Sequence, residues 1–281
     1  VKIKGAKDNH VERAIKHTAR TITMRKRPPS TMGQLRRRTD KDIPVIHAIL
    51  ESRGYYDGKV TYTIDRSRKK ARVYLMVEQG EQYRFRSVIV EFSGNTDKEL
   101  ERINSVLRRK KKVVAERVFE EQKRIINQLK RRGYPFARLV MRDIEVDRDN
   151  QVVDLVLNFD PGPLSFFGPV LVDGLEDLPD AYIYRQIPWR EGRRYDSRKV
   201  RDFESKLLGS GLFGSAKIEP KEAASGTNTI PIEVTLNERN QRTIRLGVNY
   251  SDVGPGARVF WEHRSIFGAG ERFETSLAVS P

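Results

Sequence analysis

The chain of 281 residues contains no cysteine. That excludes a disulfide scaffold, a cysteine-ligated zinc or iron–sulfur site and a thiol nucleophile. It leaves the compartment open, because chains without cysteine occur on both sides of the redox divide. Long apolar runs are missing too: nothing approaches the roughly 18–20 residues of a membrane-spanning helix. The four histidines, His10, His17, His47 and His263, lie scattered, without the spacing of metal ligands, and there is no nucleophile elbow. Nothing therefore points to an enzyme, a metal or a cofactor. Acid is scarce relative to base: 38 Asp and Glu stand against 54 Lys and Arg, a net charge of +16. At face value that excess suggests nucleic acid or an anionic membrane surface.

What is present is a repeat. Leu50–Val60, Leu129–Leu139 and Leu207–Ile218 share one grammar: the end of a helix, a glycine, a hydrophobic or aromatic residue, then a strand. The glycines fall at 54, 133 and 211, so the unit recurs after 79 and 78 residues. A glycine just past the last helical turn takes up positive φ without the penalty a Cβ brings. Upstream of the second cap, Val118, Ile125, Ile126 and Leu129 recur at helical spacing; upstream of the third, Val200, Phe203, Leu207 and Leu208 do the same. Downstream the period switches to two and predicts hairpins: Val60–Ile64 with Val73–Val77 about the turn 65–70, Ala137–Val146 with Val152–Phe159 about Asp147–Asn150, and Ala216–Pro220 with Ile230–Leu236 about a turn through Ser225 and Gly226. Strands closed by glycine, Val1–Gly5, Val88–Gly94 and Pro169–Gly174, precede the helices, with Asn95–Asp97 as an N-cap signal. Each unit reads strand, helix, helix, strand, strand, a small α+β layer.

Cutting at these boundaries localises the charge. Residues 1–85 hold 21 basic against 9 acidic residues, residues 86–163 hold 17 against 13, residues 164–237 hold 10 against 11, and residues 238–281 hold 6 against 5. The first unit thus carries +12 of the +16. After Leu236 the pattern changes. Thr243–Tyr250, Ala257–Arg264 and Arg272–Ser280 alternate over eight or nine residues, with a turn at Asp252–Gly256. Such alternation, apolar and aromatic on one face and charged on the other, is the signature of a transmembrane β-barrel. Three strands do not close one, so either the chain is a fragment that stops early or these strands pair with another partner.

The repeats, with their L-x-x-x-G-[YLF] signature, resemble polypeptide-transport-associated (POTRA) domains. The segments Arg242–Ser251 and Phe260–Glu271 resemble the first strands of an outer-membrane assembly-factor barrel of the BamA/TamA superfamily, and Trp261, Glu262, His263, Arg264, Phe267, Gly268, Gly270 and Glu271 match its TamA-like branch, whose members carry H-R-N-L-F-G-x-G-E there. Ser265 replaces the usual Asn. The resemblance implies three tandem POTRA domains, at 1–85, 86–163 and 164–237, and the start of a barrel at 238–281. It places the chain in the outer membrane of a Gram-negative bacterium, with residues 1–237 in the periplasm. It implies unfolded outer-membrane client proteins such as autotransporters, a TamB-like periplasmic, inner-membrane-anchored partner, and contact with outer-membrane lipid. The charge of the first unit makes it the expected contact for that partner.

The second strand of each unit is the edge at which the resemblance expects an extended segment to add, which assigns candidate roles to Val60, Tyr62, Ile64, Arg138, Val140, Ile144, Val146, Lys217 and Ile218. Arg25, Lys26, Arg27 and Arg36, Arg37, Arg38 lie in an extra stretch of the first unit: 49 residues separate strand-end and cap glycines there, against 39 and 37 in the others. They read either as a solvated surface or as the contact for an anionic partner, lipid headgroup or acidic protein. A second basic run, Arg108–Lys112, lacks the interleaved aromatics of a stacking platform. Gly209–Gly214 spells G-x-G-x-x-G, but a dinucleotide loop needs a strand before it and a helix after it, and here the order is reversed. Three rivals remain: a BamA-like protein, a two-partner-secretion transporter, and a cytosolic nucleic-acid-binding protein, although none of the units shows the G-x-x-G loop of a K-homology module.

Overall fold

A computed structural model describes residues 1–66, 71–94, 100, 102–223, 227–240, 242–251, 254–264 and 271–279. The contacts fall into two units, Val1–Ile126 with Arg138–Asp160, and Asn127–Ala137 with Pro161–Pro281.

In the first unit the first repeat runs β1 (Lys2–Lys4), α1 (Asn9–Thr18), α2 (Arg20–Thr23), α3 (Met32–Ser52), β2 (Lys59–Asp65) and β3 (Arg72–Glu78). Its sheet has the order β1-β3-β2, with β1 parallel and β2 antiparallel to the central strand. Helix α1 starts where the Asp8 carboxylate accepts the His10 N–H at 2.8 Å, and α3 where the Thr31 hydroxyl accepts the Gln34 N–H at 3.2 Å. Val11, Ile15, Ile46 and Leu50 of the helices pack on Val60, Val73, Leu75 and Val77 of the sheet. Each such side chain contributes roughly 1.5–3 kcal/mol on burial. The extra stretch of this repeat adds helix α2 and lengthens α3 to 21 residues, with Pro44 inside it. Asp42 on α3 is buried, and its carboxylate accepts the backbone N–H groups of Arg20 and Thr21, both at 2.8 Å, and the Thr21 hydroxyl. A buried carboxylate is tolerated there because three donors replace its water.

The second repeat contributes β4 (Arg84–Phe92), α4 (Ala115–Arg131), β5 (Arg138–Asp147) and β6 (Val152–Asp160), in the order β4-β6-β5. Central β6 alternates strictly, burying Val153, Leu155, Leu157 and Phe159. Val118 and Ile125 face the core from α4 as their spacing predicts, while Ile126 is half-buried. Glu121 of the same helix is also buried, among the Arg124 guanidinium at 2.7 Å, the Val106 N–H at 2.9 Å and Ser105. Burial pushes its carboxyl up, but these partners outweigh burial and hold it below the usual range. The expected N-cap at Asn95–Asp97 lies outside the described residues, as do residues 67–70 of the turn at 65–70 and both Ser225 and Gly226.

The second unit holds the third repeat, β7 (Phe166–Asp173), α5 (Asp180–Tyr184), α6 (Ser197–Gly209), β8 (Phe213–Pro220) and β9 (Thr229–Glu238), ordered β7-β9-β8. Its core is aromatic: Phe167 stacks on Trp189 at 4.6 Å, and Trp189 meets Phe203 edge-on at 5.4 Å. Leu208, expected on the inner face of α6 beside Leu207, is 41% exposed; one residue further is about 100° around the helix, off the core stripe. Strands β4 and β7 begin three or four residues earlier than expected, at Arg84 and Phe166, because a register shift (Phe85/Ser87 and Phe167/Val170) carries pairing past the break in alternation. The boundary drawn after residue 85 therefore runs through the first residues of β4.

The cap glycines behave as read, with φ of +79° at Gly54, +92° at Gly133 and +75° at Gly211. The first two do more than end a helix. The Gly54 carbonyl accepts the Tyr83 N–H at 2.8 Å, and the Tyr83 carbonyl accepts the Val113 N–H at 2.9 Å. Gly133, Ser165 and Tyr195 repeat the pattern at 2.8 and 3.0 Å. At the first of these clamps the buried Tyr83 hydroxyl donates to Asp57 at 2.7 Å, and Arg148 pairs with Asp57 at 3.1 Å. Burial, helped by the bond to Asp57, pushes the Tyr83 phenol up to about 12.

Candidate functional site

A three-stranded sheet leaves the outer backbone groups of its edge strands unpaired, and an extended segment that adds as a further strand does so there. The second strand of each repeat, β2, β5 and β8, is one of the two edges of its sheet, and the three differ sharply in what they present. On β2, Val60 is buried, and Tyr62 and Ile64 are half-buried against the core of the first repeat. The Tyr62 hydroxyl is held by Asp40 at 2.6 Å, and that bond raises its pKa. On β8, Ala216 and Ile218 are buried, Lys217 pairs with Glu219 at 2.9 Å, and the strand ends at Pro220, which lacks an N–H to donate. On these two strands the apolar side chains named are packed on the core or hydrogen-bonded, and Lys217 is ion-paired.

The β5 edge is open. Val140, Met141 and Ile144 are 57%, 50% and 42% exposed. Beside them Phe119 of α4, 49% exposed, lies under the Arg142 guanidinium at 4.7 Å. Between helix and strand runs a groove of about 120 Å³ lined by Val118, Phe119, Arg142 and Ile144, with Phe85 and Leu155 at its floor. A register shift between Leu139 and Met141 interrupts the alternation and turns neighbouring apolar side chains toward solvent. Of the sequence candidates on this strand, Val140 and Ile144 belong to the open edge, Val146 is half-buried, and Arg138 is engaged with Asp160 at 2.9 Å. The sequence reading missed Phe119, Met141 and Arg142. The available signal was Phe119 itself, an aromatic off the core stripe of an otherwise charged helix face.

The last described elements are β10 (Arg242–Ser251), β11 (Gly254–Arg264) and β12 (Arg272–Val279), paired antiparallel in that order. Of the expected turn at Asp252–Gly256, Gly254–Gly256 belong to β11, where Gly254 pairs with Ser251, and Asp252 and Val253 lie outside the described residues. Registering the strands separates two faces. Ile244, Leu246, Val248 and Tyr250, then Val259 and Trp261, then Phe273, Leu277 and Val279 share one; Val248 and Tyr250 are 90% and 85% exposed. Arg245, Glu262, Arg264, Arg272 and Glu274 share the other. Glu262 is fully buried among Arg264 and Arg272, both at 2.9 Å, and Arg245 at 3.6 Å. Trp261 meets His263 at 6.0 Å and Phe273 at 5.8 Å. The motif residues Trp261 to Arg264 thus anchor the hairpin, and Glu271 precedes β12. Phe267, Gly268 and Gly270, with Ser265, lie outside the described residues.

Arg25, Lys26 and Arg27 are exposed between α2 and α3, and Arg36 and Arg37 are exposed on α3. Arg38 is half-buried and donates to the Arg27 carbonyl at 3.1 Å. The G-x-G-x-x-G run leads from α6 into β8, helix before strand.

Residues 83–162 match the POTRA family, described as the surface antigen variable number repeat. The chain is 23% identical over 146 residues, 52% of its length, to the outer membrane protein assembly factor BamA of Buchnera aphidicola, and that match spans 24% of the relative. Two solved structures share the fold: POTRA domains 3–5 of Haemophilus influenzae BamA, 18% identical, at a TM-score of 0.55 over 84% of this chain and 94% of that one, and Haemophilus ducreyi BamA lacking POTRA domains 1–3, 17% identical, at 0.60 over 70% and 37%. The chain spans about a quarter of the curated relative it matches and just over a third of the second structure. With its repeating sheets of first, third and second strand, its shared clamps and these likenesses, the chain has the fold of tandem POTRA domains, and residues 83–162 match the POTRA family itself.

Proposed function

We propose that the chain is the periplasmic arm, with the first barrel strands, of an outer-membrane protein assembly factor, and that it takes extended segments of unfolded client proteins onto the β5 edge and passes them toward the barrel. The observation that carries this reading is the asymmetry of the side chains along these edges: β5 sets exposed Val140, Met141 and Ile144 beside the Phe119 groove, whereas the apolar side chains of β2 and β8 named above are packed on their cores. An added strand gains main-chain hydrogen bonds, which make weak sequence demands, and places its own apolar side chains beside the exposed ones. No covalent step is involved. The relative in Buchnera is itself an assembly factor, and the apolar face of β10–β12 suits a barrel wall in contact with outer-membrane lipid.

Within the superfamily, the TamA-like reading rests on the match at Trp261–Glu271. It brings autotransporter clients and a TamB-like partner that engages residues 1–85; deleting those residues abolishes that binding if the reading holds. Capture at β5 is tested by titrating the isotope-labelled chain with a ten-residue peptide of alternating threonine and valine. Amide shifts centred on Val140–Ile144, lost when alternate peptide nitrogens are methylated, are expected. Shifts centred on β2 or β8 instead, or tight duplex-DNA binding with a steep salt dependence, would overturn it.

A further inference from the structure

The helical layer of the first repeat carries charge that nothing around it neutralises. Residues 9–41 contain ten Lys and Arg and only two acidic residues, Glu12 and Asp40. Glu12 is taken by Lys16 at 2.6 Å, and Asp40 accepts the Tyr62 hydroxyl at 2.6 Å. The next carboxylate, Asp42, is buried and spent on the backbone of Arg20 and Thr21. Among the described residues, Arg25, Lys26, Arg27, Arg36 and Arg37 form no ion pair, and the only carboxylates within residues 9–41 are the two engaged ones. The cations are also held in place. Asp42 fixes the start of α2, and Arg38 ties the end of the basic turn to α3 through the Arg27 carbonyl.

We infer that this face is a docking surface for anionic phospholipid headgroups. Three features favour lipid over other polyanions. Arginine is abundant, and its planar fork matches phosphate oxygens. No aromatics are interleaved for stacking on bases. The tip of the turn also joins cations to apolar groups: Met24 is 39% exposed and Pro28 is exposed, flanking Arg25, Lys26 and Arg27. Small apolar groups beside a basic cluster suit the boundary between headgroups and acyl chains. The surface is independent of the β5 edge, so the two readings stand or fall separately.

The absence of cysteine makes the test clean. Met24→Cys in the 281-residue chain accepts one environment-sensitive fluorophore, and Glu120→Cys, on exposed α4, serves as the control site. Vesicles containing phosphatidylglycerol should blue-shift the label at position 24 and leave the label at 120 unchanged, while neutral phosphatidylcholine vesicles should shift neither. Using position 24 separates this contact from any insertion of β10–β12. Charge reversal at Arg25, Lys26 and Arg27 to Glu should weaken the response by well over ten-fold, since each cation contributes roughly five-fold at an anionic surface. Raising the salt should weaken it too. These variants alter exposed side chains, and far-UV circular dichroism checks that the fold persists. An equal shift with neutral vesicles, no shift with anionic ones, or a response to polyglutamate or duplex DNA in place of vesicles would overturn the inference.

Discussion

At the scale of single residues, the two clamp glycines and the third cap separate backbone strain from close packing. A Cβ at Gly54 would lie 2.6 Å from the Val113 carbonyl oxygen, whereas one at Gly211 meets nothing within 4 Å, although both residues have positive φ. Gly211→Ala is expected to cost about 1 kcal/mol from conformation alone. Gly54→Ala is expected to cost about 2–4 kcal/mol, because the clamp must also move. Denaturant melts of the two variants check this. Glu121 gives a pH prediction. Its folded pKa is lowered, so its stabilisation is present above the unfolded value of about 4.3 and fades as pH falls through the lower folded value. Glu121→Gln should therefore destabilise by about 1–3 kcal/mol at pH 7, with the gap to the parent closing under acid; thermal melts across pH measure it. Tyr83 runs the other way. With its phenol raised to about 12, its contribution is complete below the unfolded value near 10 and is lost as pH climbs. Ultraviolet titration should find Tyr83 still protonated at about pH 11, and a Tyr83→Phe variant should lack that late component.

At the scale of elements, periodicity carried much of the fold because helix and strand periods are enforced by burial. Val118 and Ile125, Val73 to Val77, and the glycines at 54, 133 and 211 do in the structure what their spacing implied. The misreadings share a cause. The early starts of β4 and β7 and the exposed run at Val140–Met141 all sit at register shifts, where one extra residue breaks the period on which the reading relied. The buried Glu121 and Asp42 were illegible for another reason: a carboxylate's partners come from distant segments, and spacing along the chain does not reveal them. The candidate site was half legible. Which strands form edges followed from the repeat, but which edge sets exposed apolar side chains beside a groove depends on the register shift in β5 and on where Phe119 falls on α4. Adding a charge at the open edge should therefore matter only there. Ile144→Glu is expected to weaken peptide capture about ten-fold or more while changing stability by about 0.5 kcal/mol or less, as an exposed site allows.

At the scale of the whole molecule, the +16 that first suggested nucleic acid resolves into a basic first repeat, a nearly neutral third repeat and a final sheet whose charges gather on one face around Glu262. Under the proposed function these parts divide the labour: the repeats hold unfolded strands and the barrel wall receives them. The central claim is that client strands are taken up at β5 and not at the other edges. Photocross-linking tests it most directly, with a photoreactive phenylalanine analogue placed in turn at Met141, Thr61 and Lys217 of the protein in a Gram-negative envelope. Abundant cross-links to outer-membrane clients from Met141, with few from Thr61 or Lys217, are predicted. Equal yields at the three sites, or none at Met141 while clients are still being assembled, would contradict the account.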